Sequence, residues 1–266
     1  MSQPRRSART RVLFVAGVLA LFAALIPAAL SGAAPKPSDP GLYPDIQTVV
    51  PRHLQLVNSQ QREILRFSNG IANTGDGPWA LRPEHVGDVT NAIQEIRDAN
   101  GNVVREHLAS TFEYHPAHNH WHIGDIAQFD VRRGGPTGAV MGQASIKVTF
   151  CLIDWYTLDS KGGTSRREFW DCANSYQGIS VGWVDQYHQS LEGQTLDITG
   201  IPAADDYYLV SKANYAGKFL EKDLNNNTAW VRFRIYSDAT GNRKIEQLGH
   251  SPCSSPGMCG VNAPNR

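Results

Sequence analysis

The chain has 266 residues, with 25 Lys and Arg against 25 Asp and Glu and a hydrophobic fraction of 41%. A formally neutral chain gives no electrostatic support for nucleic-acid binding, and this hydrophobic content is that of a globular protein with enough core for one large domain or two small ones.

Residues 1–34 read as a secretory signal peptide. Arg5, Arg6, Arg9 and Arg11 precede an apolar run from Val12 to Leu30, broken at Pro27, and small residues follow at Ser31, Gly32, Ala33 and Ala34. The run is close to the roughly 20 residues that span a bilayer, so an uncleaved anchor is the alternative. With cleavage, the membrane is met only through this segment, and the mature chain is secreted and extracellular. Export would leave the four cysteines in an oxidising compartment, where Cys151 is expected to pair with Cys172 and Cys253 with Cys259. Cysteine metal ligands compete with that reading, but none of the four has zinc-finger spacing.

Residues 35–41 are a proline-rich linker. Beyond it, Ile64 to Phe67 and Gly70 to Asn73 read as a short hairpin, Gly75-Asp76-Gly77-Pro78 forces a turn, and Trp79-Ala80-Leu81 resumes an extended apolar segment. Ala92–Arg97 and Val103–Leu108 form a hairpin across Asn100-Gly101, a strong turn signal. Ile126–Val131 and Ser145–Leu152 alternate apolar and polar residues. In the latter Ile146, Val148 and Phe150 share one face and Lys147 takes the other. Residues 157–169 read as a loop, whereas Leu196–Ile198, Tyr207–Ala213 and Trp230–Tyr236 read as strands. Short strands about ten residues apart, separated by Gly, Pro, Asn and Asp, predict an all-β single domain with long loops and little helix. An antiparallel β-sandwich or barrel-like architecture fits that pattern. There is no internal repeat. The domain is expected over 42–237, with 238–266 a Ser/Pro/Gly/Asn-rich tail held by its own disulfide.

The densest chemical signal is His115-Pro116-Ala117-His118-Asn119-His120-Trp121-His122, which holds four of the nine histidines. In a strand, residues i, i+2 and i+4 share one face about 6.5–7 Å apart, so His118, His120 and His122 would converge on one ion. A helix would spread them over roughly 200° of arc, and Pro116 disfavours helix there. The alternative is three surface histidines in a polar strand. Three neutral imidazoles with neither thiolate nor carboxylate beside them suit Cu(II) or Zn(II), and spacing alone does not choose between them.

A second set of residues gives this run a resemblance. It is similar to the His-x-x-His-x-His-aromatic-His signature of the lysyl oxidase family, followed here by Asp125 and Phe129-Asp130. Further segments resemble the family in order: Tyr43-Pro44-Asp45-Ile46, Leu65-Arg66-Phe67 before Asn73-Thr74-Gly75, Lys147-Val148-Thr149-Phe150-Cys151-Leu152, Asp185-Gln186-Tyr187, Leu196-Asp197-Ile198-Thr199 and Asp223-Leu224-Asn225-Asn226. The resemblance covers roughly 42–237. It implies copper on His118, His120 and His122, with His115 a neighbour, and a lysine tyrosylquinone cofactor formed from Lys147 and Tyr187. Ala117 stands where the animal enzymes carry a cysteine and several of their other cysteines are missing, so their disulfide pattern does not transfer, which supports Cys151 pairing with Cys172.

The activity so implied is oxidation of a primary amine, peptidyl lysine or a small amine, by O₂ to an aldehyde with release of ammonia and hydrogen peroxide. A carboxylate is expected as general base, with Asp185 and Asp125 the candidates. A non-catalytic extracellular copper-binding β-domain needs only the three histidines. A zinc hydrolase would leave Lys147 and Tyr187 without a part.

Overall fold

The structure is a computed structural model; it describes residues 40–264 other than 117, 160–164 and 174, and leaves the side chains of residues 143–145 and 147 undescribed. The expected signal peptide and most of the linker lie outside the described residues. The first strands are β1 (Ile46–Thr48), β2 (Arg52–Ser59), β3 (Arg62–Asn73), β4 (Trp79–Val86) and β5 (Val89–Arg97). The middle of the chain forms β6 (Val103–His115), β7 (His120–Arg133), β8 (Ala139–Phe150), β9 (Tyr156–Thr157) and β10 (Gln177–Ile179). The last are β11 (Trp183–Tyr187), β12 (Thr195–Asp197), β13 (Ala204–Ala213), β14 (Thr228–Ser237) and β15 (Arg243–His250). No helix occurs among the described residues.

The strands pair antiparallel into two sheets. One runs β10-β4-β5-β6-β7-β13-β14-β15, with β8 also on β7; the other runs β1-β3-β11-β9, with β2 and β12 also on β3. Neither sheet closes on itself, so the fold is a sandwich and the barrel alternative falls away. Its core is the inward alternation of both sheets: Leu65, Phe67 and Ile71 from β3 and Leu196 from β12 pack with Phe129 and Val131 from β7, Leu209 from β13 and Phe233 from β14. Phe67 meets Phe129 edge to face across the sheets, with ring centroids 4.8 Å apart, a favoured aromatic geometry. Phe129→Ala is expected to cost about 3–5 kcal/mol, because β7 and β13 together prevent collapse of the void. A thermal melt shifted by less than a few degrees would count against Phe129 as the centre of the core.

The turn chemistry explains several hairpins. Between β5 and β6 the Asp98 carboxylate accepts from the backbone N–H of Asn100 and Asn102, each at 2.9 Å, while Gly101 adopts φ +85°, a conformation open to glycine at little cost. The strand from Trp79 runs on to Val86 through Pro83. Proline is tolerated there because β10 pairs only with Trp79, Ala80 and Leu81, which leaves the rest of β4 as an edge.

Two expectations need correction. Residues 64–73 form no hairpin but one continuous strand, β3, inside which Gly70 serves close approach. A Cβ there would meet Val184 Cγ1 at 2.9 Å and the Asp185 carbonyl oxygen at 3.2 Å. Gly70 thus lets β11 lie against β3 with Gln186 opposite it. The strand pattern also does not stop at 237, because β15 pairs with β14 from Ser237↔Arg243 to Val231↔His250. Both expected disulfides, Cys151–Cys172 and Cys253–Cys259, are present. Two segments far apart in sequence meet as well: Glu221 accepts from the Ile46 backbone N–H at 2.8 Å, and Asn226 Nδ2 donates to the Asp45 carboxylate at 3.0 Å.

Candidate metal centre and adjoining cavity

The histidine run spans the β6–β7 hairpin. His115 pairs with His120 and Glu113 with His122, so His120 and His122 alternate on β7 as expected. His118 does not lie on the strand. It sits in the connecting turn, where its N–H bonds the His115 carbonyl at 3.0 Å and Asn119 adopts φ +55°. Asparagine tolerates that left-handed geometry better than most residues. Convergence of the three rings therefore comes from a turn folded over two strand positions.

The result is a compact set of donors. One ligand nitrogen from each of His118, His120 and His122 lies within 4.8 Å of the others, and the Nε2 atoms of His120 and His122 are 2.9 Å apart. A tetrahedral ion with bonds of about 2.0–2.1 Å needs its nitrogens roughly 3.3 Å apart, so a small opening of the pair admits one. His115 stacks on His118 and His122 at centroid distances of 4.3 and 5.0 Å and braces both. Burial, then the neighbouring imidazoles, pushes the His122 pKa down to about 4, and burial also lowers that of His120. Both are neutral at neutral pH, the form that ligates a metal. His122 Nδ1 lies 3.1 Å from Thr149 Oγ1 on β8.

The histidines form one wall of a cavity of about 770 Å³, and Tyr187, Asp185, Phe150, Cys151 and Cys172 line it as well. Tyr187 ends β11. Its hydroxyl donates to the Cys151 carbonyl at 2.6 Å, and its half-buried ring stacks on Phe150 at 4.0 Å. Burial, reinforced by the adjacent Asp185 carboxylate, raises its pKa well above that of a free phenol. Asp185, 2% exposed, lies two positions before it on β11. The start of β7 is tied to the same region: Trp121 N–H donates to the Cys172 carbonyl at 3.4 Å, and Gln177 Nε2 donates to the Trp121 carbonyl at 2.8 Å.

Of the residues singled out from sequence, His118, His120, His122, Asp185 and Tyr187 meet at this cavity. Lys147 stands on β8 in register with Gln128, and its side chain lies outside the described ones. Asp125 is not among the cavity residues. Its carboxylate accepts from Tyr215 Oη at 2.6 Å and Lys218 Nζ at 2.5 Å, and its own φ of +60° shapes an irregularity in β7. Sequence reasoning passed over Thr149 and Glu192; the latter brings Oε2 to 3.6 Å from His118 Nε2 at the cavity rim. Thr149 carried a signal, since it stands two strand positions from Lys147. Glu192, on an irregular loop, carried none.

A family model described as lysyl oxidase matches residues 88–243, more than half of the chain. The chain belongs to the lysyl oxidase family. Similar relatives include lysyl oxidase homolog 2 of Gallus gallus, 28% identical over 181 residues, which is 67% of this chain and 19% of that protein. Homo sapiens lysyl oxidase homolog 2 is 27% identical over 176 residues, 65% of this chain and 18% of its own. Danio rerio lysyl oxidase homolog 3B is 34% identical over 116 residues, 43% and 13% respectively. The chain thus spans about a fifth or less of the length of these relatives. The match to the lysyl oxidase model runs from the turn between β4 and β5 to the first residue of β15, and so takes in the histidine hairpin, β8 and β11.

Proposed function

We infer that this protein is a secreted copper amine oxidase of lysyl oxidase type, oxidising peptidyl lysine or small primary amines to aldehydes with O₂ and releasing ammonia and hydrogen peroxide. The observation that carries the reading is that three histidine nitrogens within 4.8 Å of one another and Tyr187 border one cavity. Copper with a lysine tyrosylquinone would supply a route for electrons from the amine to O₂. His118, His120 and His122 would hold the copper, and Lys147 and Tyr187 would be the residues joined in the quinone.

The chain's own groups suit the remaining tasks. The Phe150 stack and the Cys151 carbonyl hold the Tyr187 ring and its oxygen in a fixed pose, which favours one geometry for the cross-link and for substrate. Asp185, buried two residues from Tyr187 on β11, is the carboxylate suited to hold or move a proton beside it. Ile146, Val148 and Leu191 give the cavity an apolar wall against which the aliphatic part of an amine would pack. Secretion is supported by the apolar, arginine-led first 34 residues and by the two disulfides.

The test is mass spectrometry of the protein after full copper loading in air. The expected result is a covalent link joining the peptides that contain Lys147 and Tyr187, together with phenylhydrazine reactivity and amine-dependent peroxide. Bound copper with none of these would overturn the enzymatic reading and leave a copper-binding β-domain. Zinc, and no copper, in protein purified without added metal and refusing copper on exchange would point to a hydrolase.

A further inference from the structure

Beyond the three histidines, we propose that Thr149 is a positioning residue of the metal centre: its hydroxyl oxygen accepts the Nδ1–H of His122 and thereby presents Nε2 to the ion as a lone pair. The inference rests on the metal-binding half of the proposed function and adds a residue that the histidine signature does not contain.

The geometry leads to it in steps. His122 has two ring nitrogens, and the one aimed at His120 is Nε2, 2.9 Å from His120 Nε2. If the ion binds there, Nε2 has to be free of its proton, so a neutral ring has to carry the proton on Nδ1. The partner of Nδ1 decides which tautomer is populated, and the group at Nδ1 is Thr149 Oγ1, 3.1 Å away. His122 is 7% exposed, so bulk water is a poor substitute acceptor. A hydroxyl can donate as well as accept, but only the accepting orientation is compatible with a bound metal.

The backbone is arranged to make this contact. Ile123 pairs with Phe150 and the next paired positions are Ala127 and Val148. Gly124, Asp125 and Ile126 of β7 therefore stand opposite Thr149 alone. This bulge is held by the left-handed Asp125 and its bonds to Tyr215 and Lys218. Bulges of this kind re-aim side chains beside functional sites. The same contact fixes β8, and with it the strand position of Lys147 two residues earlier, against the strand that carries the metal ligands.

The experiment uses the full chain, stripped of metal and titrated with Cu(II) and separately with Zn(II) against a chromophoric chelator. Thr149→Val keeps shape and removes the acceptor, Thr149→Ala removes it with less bulk, and Thr149→Ser restores it. Loss of an outer-shell partner weakens metal binding about 10–100-fold. That weakening is expected for T149V and T149A, with T149S within a few-fold of the unsubstituted protein, and the Cu(II) EPR spectrum should change in the first two alone. Metal-free melting temperatures identify a variant that fails to fold, in which case the other is read. Unchanged affinity and EPR spectrum in a folded T149V or T149A would overturn the role of Thr149. If the unsubstituted protein binds neither metal, the metal reading itself fails and Thr149 falls with it.

Discussion

Tyr187→Phe is expected to abolish amine-dependent peroxide release while Cu(II) remains bound with near-normal affinity. The two effects separate because the hydroxyl and the ring do different work. Phenylalanine keeps the stack on Phe150, whose ring lies 4.0 Å away at an interplanar angle of 20°, so the cavity wall stays in place. It loses the oxygen from which a quinone would be built, and it loses the hydrogen bond to the Cys151 carbonyl. That bond is worth about 0.5–1.5 kcal/mol, with some further cost for the unpartnered carbonyl. Stability should therefore fall only slightly, and none of the three histidines is touched. A coupled peroxidase assay beside a Cu(II) titration reads both halves. Residual turnover in Y187F above a few per cent would rule out Tyr187 as the source of the cofactor.

Breaking the Cys151–Cys172 bridge should have the largest effect on stability that also reaches the site. The bridge spans 21 residues in sequence, and a closed loop of that size restricts the unfolded chain by about 3 kcal/mol. For a domain of this size that corresponds to a melting temperature lower by roughly 6–12 °C. Both half-cystines also present a backbone carbonyl to the site: Cys151 accepts from Tyr187 and Cys172 from the Trp121 N–H at the start of β7. The paired substitution Cys151→Ser, Cys172→Ser should consequently loosen the tyrosine side and the histidine side together, lowering metal affinity as well as melting temperature. The Cys253–Cys259 bridge closes a span of only 6 residues and sits away from the cavity lining. Its removal should cost less, and metal affinity should not move. Calorimetry and Cu(II) titration of both double variants give the comparison, and equal effects on affinity would argue against the coupling.

Strand content was legible wherever a local rule was sufficient. Alternation in Ile126–Val131, Tyr207–Ala213 and Trp230–Tyr236 marks residues that line the core in β7, β13 and β14, because Ala127, Phe129, Val131, Tyr207, Leu209, Val231 and Phe233 point inward at every second position and are buried. The Asp98–Asn102 turn declares its hairpin through Asn100-Gly101, whose effect is local. Where local and tertiary signals conflict, the tertiary one decides. Ile64 to Phe67 and Gly70 to Asn73 read as two arms of a hairpin, yet they run on as one strand, and Gly70 is needed inside β3 for the approach of β11, an environment created by residues more than a hundred positions later. The strand β11 itself has only five residues, too few for periodicity to stand out. β15 alternates weakly because most of it is exposed, so its Ser/Pro/Gly-rich surroundings hide it.

The candidate site divides in the same way. Residue types and spacing in the sequence determined the candidate donor set of His118, His120 and His122, the family resemblance and the expected cysteine pairing, since these rest on residue identities and their order along the chain. Only the tertiary structure decided that His118 reaches the other two from a turn, that Asp185 borders the cavity while Asp125 holds a bulge, and that Thr149 faces His122. These depend on how β7, β8 and β11 pack. A one-residue change in register reverses the face of every side chain on a strand, and that register is set by contacts that no single segment contains.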